Sequence, residues 1–136
     1  MSQTNTPQVK DPAGVMRELR IKMITTNPAE FSNVQTNEFP KVFGVVMDWP
    51  IGEPTATVVA LGTGDASIYT TGTFGVFGGI GHESVRNAAR NCVKAAQKYF
   101  ADAVPTKEYP YPKLGQIRIY LVCYDGVRAI NADAAS

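Results

Sequence analysis

Residues 72–81 read Gly72-Thr-Phe-Gly-Val-Phe-Gly-Gly-Ile-Gly81, and this glycine-rich run leads directly into a stretch with helical spacing. Val85, Ala88, Ala89, Cys92, Val93, Ala96, Tyr99, Phe100 and Ala103 recur at steps of three and four, which puts them along one side of a helix. The spacing predicts a helix over 83–103, about 30 Å long at 1.5 Å per residue. Arg86, Arg90, Lys94 and Lys98 follow one another at steps of four and make a separate basic stripe. Glu83 in the first turn and Lys98 near the end suit the helix dipole, and Pro105 stops the helix at or before residue 104. A rod with one apolar side and one basic side needs an apolar surface to lie on.

The flanking sequence supplies that surface as strands. Val42-Phe-Gly-Val-Val-Met47 is a continuous apolar run, as expected of a strand covered on both faces. Residues 48–54, with two prolines and a glycine, break it, and the β-branched run 55–61 gives a second strand. Gly62-Thr-Gly-Asp65 reads as a tight hairpin leading to a third strand over 67–71. After the helix, Tyr109-Pro-Tyr-Pro112 marks an extended connector. Residues 116–124 then alternate, with Ile117, Ile119, Leu121 and Cys123 on one side and Arg118, Tyr120, Val122 and Tyr124 on the other. Asp125-Gly126 signals a hairpin back into a last strand over 127–130. Near the start, Asp11-Pro12 fits a helix N-cap followed by proline at the first helical position, with Val15, Met16, Leu19 and Met23 on one face. Residues 1–10 read as a flexible tail and 25–40 as a long loop. The expected fold is α+β over 11–136: a mostly antiparallel five-stranded sheet with the long helix packed on one face.

This order of elements, over about 42–130, resembles the profilin-like layout and in particular the roadblock-type domains of dynein light chains. The resemblance implies a small module that pairs through its sheet or helix and serves as a scaffold or regulator. Gly81-His-Glu-Ser-Val-Arg86 and Tyr124-Asp-Gly126 also resemble stretches of small bacterial proteins.

The chain has 136 residues, 44% of them hydrophobic and 18% charged, with a net charge of +1, which fits one domain able to bury a core without disulfides or metals. That balance gives no footing for nucleic acid. Two cysteines, Cys92 on the apolar helix side and Cys123 in a strand, are expected as buried free thiols, so a reducing cytoplasm is the expected setting. No run approaches the ~18 apolar residues of a membrane span.

Chemistry has few places to sit. Gly75, Gly78, Gly79 and Gly81 could turn backbone amides toward an anion at the helix start, with His82 and Arg86 beside them, although the run matches neither the Walker A nor the Rossmann pattern. Its glycines suit a connector that needs positive φ better than a phosphate cradle. Phe74, Val76, Phe77 and Ile80 either tuck under the sheet or offer an apolar patch to another chain. Trp49 could anchor a partner or close the end of the core. His82 is the only histidine, so a histidine-pair metal site is excluded, and its place at the helix start suits capping better than a general base. Asp48 and Asp125 read as turn aspartates rather than paired carboxylates. No cofactor, metal, nucleic acid or membrane is expected. The expected partner is a second copy of the chain, as a dimer, or another protein, with anion or nucleotide binding as the alternative and a His82-dependent enzyme last.

Overall fold

The apolar run that begins at Val42 becomes β1 (Val42–Pro50), the central strand of the sheet. A computed structural model describes residues 12–27, 38–71, 75–76 and 83–133. Within them the elements are α1 (Pro12–Ile24), β1, β2 (Thr55–Leu61), β3 (Ala66–Thr70), β4 (Gly75–Val76), α2 (Glu83–Ala96), β5 (Val104–Thr106), β6 (Gln116–Cys123) and β7 (Gly126–Asp133). The sheet runs β4-β3-β2-β1-β6-β7-β5, and each pair of neighbours is antiparallel.

All five expected strands form, and two short ones flank them. β5 lies in the connector, where Pro105 disfavours helical backbone at Val104 and the extended chain pairs with residues 127–129 of β7. β4 comes from the glycine run and pairs with Ile68 and Tyr69.

Both faces of the sheet are covered, which explains the unbroken hydrophobicity of β1. One face carries α2, whose Ala89, Val93 and Ala96 pack with Phe39, Val42, Val45, Ala60, Leu121 and Cys123. The other carries α1, with Met16, Leu19, Met23 and Ile24 against Phe43, Val46, Val59, Leu61, Tyr120 and Val122. Val42 and Val45 share a face although three residues apart, because the β1–β6 register shifts between Val42 and Gly44. At Gly44 the sheet has no room for a side chain: a Cβ there would stand 2.8 Å from Leu61 Cδ2.

Four expectations need correction. The helix is shorter than predicted. It ends at Ala96 and tightens to a 3-10 turn over Gln97–Tyr99. The Gln97 side chain accounts for this stop, since it ties the helix end to β1: Nε2 donates to Val93 O in the helix at 2.9 Å and to Val42 O at 2.7 Å, and Oε1 accepts from the amides of Lys41 and Val42, both at 3.0 Å. Beyond the turn, Arg128 donates to the carbonyls of Phe100 and Ala103 and its guanidinium lies 3.8 Å from the Phe100 ring centroid, fixing the chain in a non-helical path. Cys92, expected in the core, is exposed, whereas Cys123 is buried. Asp48, read as a turn residue, lies inside β1 and is fully buried. The last hairpin closes one residue early, on Tyr124-Asp125, with Cys123 paired to Gly126 at φ 137°. Asp125 stays exposed in that turn, as expected.

Candidate functional site

The register lines up residues across the sheet in rows, and α2 leaves one of them beside it: its buried residues pack with Val42 and Cys123 of one row and with Val45, Ala60 and Leu121 of another. On its face, Ala66, Ala60, Val45, Leu121 and Arg128 form one row across five adjacent strands. Two residues along, Ile68, Val58, Met47, Ile119 and Ile130 form the next, and all five are apolar. The buried residues of α2 sit with the first row, and the second lies beside the helix, half-buried or exposed. Trp49, two residues beyond Met47 and on the same face, is 42% exposed, and Ile68 is 38% exposed.

The helix contributes the other wall. Ala88, Cys92 and Tyr99 were expected to face the core with the rest of the apolar stripe, but all three are exposed, as is Ala95 beside them. At 100° per residue they form a band rotated roughly a quarter-turn from the Ala89, Val93 and Ala96 line. The apolar arc of α2 is therefore wider than the strip of sheet it contacts. Between this band and the open row lies an apolar groove of about 330 Å³, walled by Val45, Met47, Val58, Ile119 and Ile130 on the sheet and by Cys92, Ala95 and Tyr99 on the helix side. No charged side chain lines it among the described residues. Although the residue is exposed overall, desolvation where its thiol meets the groove pushes the Cys92 pKa upward, which leaves less thiolate than in an unshifted cysteine.

The basic stripe points elsewhere. Lys94 Nζ stands 3.4 Å from Glu38 Oε2 in an exposed pair, Arg90 donates to Thr63 O at 3.4 Å, and Arg90, Lys94 and Lys98 are exposed. Arg86 lies over the β2–β3 turn, where a Cβ on Gly64 would be 3.1 Å from Arg86 Cβ.

On the opposite face lies a buried polar cluster. Asp48 accepts from Arg20 Nη2 and Nε and, at 2.6 Å, from Thr57 Oγ1. Arg20 Nη2 also donates to Tyr109 O at 2.7 Å, and the guanidinium stands 4.0 Å from the Tyr111 ring centroid. Burial works against the Arg20 charge, but the hydrogen bond and charge of Asp48 outweigh it and the pKa is raised. Tyr120, whose hydroxyl donates to Pro110 O at 2.7 Å, has its own pKa raised by burial. The bonds of Asp48 to Arg20 and Thr57 and of Arg20 to Tyr109 O tie α1, β1, β2 and the connector together.

Of the predicted site residues, Gly78, Gly79, Gly81 and His82, and the patch residues Phe74, Phe77 and Ile80, lie outside the described residues. Arg86 and Trp49 are described, at opposite ends of the α2 face: Arg86 by the β2–β3 turn and Trp49 in β1 opposite Ala56. The open row was missed, although its members had been assigned to strands. The available signal was the breadth of the apolar arc on residues 83–99, too wide for one line of contact. Among the described residues no group of histidine, cysteine, aspartate or glutamate could hold a metal, and no helix is long and apolar enough to cross a membrane. No protein-family model, curated protein or solved structure matches the chain.

Proposed function

We propose that the protein is a non-catalytic interaction module that works by docking its α2 face onto another protein surface and that it self-associates. The observation that carries this reading is the apolar groove between α2 and Val58, Met47, Ile119 and Ile130, with Tyr99 in its wall and the exposed Ile68 and Trp49 farther out on the same sheet face. Aromatic groups beside an apolar, uncharged concavity are common anchors of protein contacts. The sheet edges are poorer candidates: β4 has two residues, and β5 has three with Pro105 in the middle, which limits the backbone available for strand pairing. The profilin-like layout of the sequence is consistent with the same role.

Sedimentation velocity from low to high micromolar concentration tests the reading. The expected result is a weight-average mass that rises from monomer toward dimer. A mass fixed at the monomer value over the whole range would remove self-association.

A further inference from the structure

We infer that the cleft between residues 110–114 of the connector, the start of β6 and the end of β7 binds a small phosphate monoester, with Arg118 and Lys113 as its cations. The cleft has a volume of about 490 Å³, within the range of small-ligand sites. It lies on the α1 side of the sheet, away from the α2 groove, so it stands independently of self-association. Its polar side chains are those of Tyr111, Lys113, Gln116, Arg118 and Asn131, all able to donate hydrogen bonds. No carboxylate lines it among the described residues.

Arg118 is held in place without being neutralised. Its Nε donates to Tyr120 Oη at 2.8 Å and its Nη1 to Asn131 Oδ1 at 3.1 Å, and Tyr120 Oη is itself fixed by donating to Pro110 O at 2.7 Å. In the register Arg118 stands opposite Asp48, but that carboxylate is taken by Arg20 and Thr57, and no acid pairs with Arg118 among the described residues. Of the five N–H donors of a guanidinium these bonds use two, and the rest remain for a guest. Lys113 adds a second charge: it is exposed, and its ammonium has no hydrogen bond or ion pair among the described residues. A planar donor fork beside an ammonium matches the oxygens and double charge of a phosphate monoester better than the single charge of a carboxylate. The Tyr111 ring, its centroid 4.0 Å from the Arg20 guanidinium, lies beside Pro112 and the 71% exposed Leu114 and gives apolar surface for the organic part. Asp133, which accepts from Gln116 Nε2 at 3.1 Å, is an acid beside the cleft and lies outside its lining.

The test is an NMR titration of the full chain with phenyl phosphate, inorganic phosphate and benzoate at one ionic strength, following Arg118 Nε–H and the Asn131 side-chain amide. Both signals are expected to shift and saturate, with phenyl phosphate bound about tenfold more tightly than benzoate and also more tightly than inorganic phosphate. Lys113→Met is expected to weaken phenyl phosphate about tenfold. Lys107→Met, at the other end of the connector, removes an equal charge and should leave the affinities unchanged. Both lysines are exposed, so neither substitution threatens the fold. Equal affinity for benzoate overturns the phosphoryl assignment, and equal affinity for inorganic phosphate overturns the ester. Shifts that do not saturate, or the same affinity in the two lysine variants, overturn the site.

Discussion

Arg20 and Asp48, 28 residues apart in the chain, meet inside the protein with Nη2 2.6 Å from Oδ2, the arginine 3% exposed and the aspartate fully buried. The pair joins α1 to the central strand. Removing the arginine leaves a carboxylate in the core that keeps the Thr57 hydroxyl but loses its cation. Arg20→Met is expected to cost about 3–5 kcal/mol, because a lone buried charge keeps its desolvation penalty without its partner. The double variant Arg20→Met, Asp48→Leu should recover much of that loss. Urea unfolding of the four proteins measures it, and strictly additive costs would show that the two residues do not act as a pair.

Gln97 holds the end of α2 to the start of β1 by bonds to Val42 O and to the amides of Lys41 and Val42. Gln97→Leu keeps the volume and leaves the Val42 polar groups without this partner. A loss of about 1–3 kcal/mol is expected, with faster amide exchange at Lys41 and Val42. Unchanged exchange at both amides would contradict the bridge.

Burial pushes the Cys123 thiol up to about 11, above its ordinary value of 9.0. The fold therefore favours the neutral thiol. Its contribution is fully present below the unfolded pKa and is lost as pH rises through the folded one, a window from about 9 to about 11. Stability is expected to fall across that window by on the order of 2 kcal/mol from this group, with the tyrosines Tyr111 and Tyr120, also raised by burial, adding to the slope. Cys123→Ala should flatten the profile measured by urea midpoints at stepped pH. An identical slope in the variant would assign the effect to the tyrosines alone.

Gly64 has φ 100° in the β2–β3 turn and lies under Arg86. Gly64→Ala meets both an unfavourable backbone and a Cβ 3.1 Å from Arg86 Cβ, so a cost of about 1–3 kcal/mol is expected. Gly52, at φ 101° with nothing within 4 Å of a Cβ, is the control: alanine there meets the backbone term alone. Equal thermal midpoints for the two variants would mean that the contact with Arg86 contributes nothing.

The class of fold and the five main strands could be read from residue order, because period-two and period-3.6 patterns are local properties of the chain. Turn positions were legible to within a residue or two for the same reason, as at residues 62–65. Other features depended on residues far apart in sequence. Asp48 looked like a turn aspartate beside Trp49 and Pro50, and only the arrival of Arg20 from α1 makes it a core residue. The end of α2 at Ala96 could not be seen in a stripe that continues to Ala103, since it is set by Gln97 reaching Val42 and Arg128 reaching Phe100.

The same division holds for the groove. Sequence alone determined that residues 83–99 carry an apolar arc and that Met47, Val58, Ile119 and Ile130 belong to strands. Which part of the arc would be covered was decided by packing, because the register sets which strand residues stand together under Ala89, Val93 and Ala96. Periodicity counts apolar positions, and only packing in three dimensions settles which of them still face water.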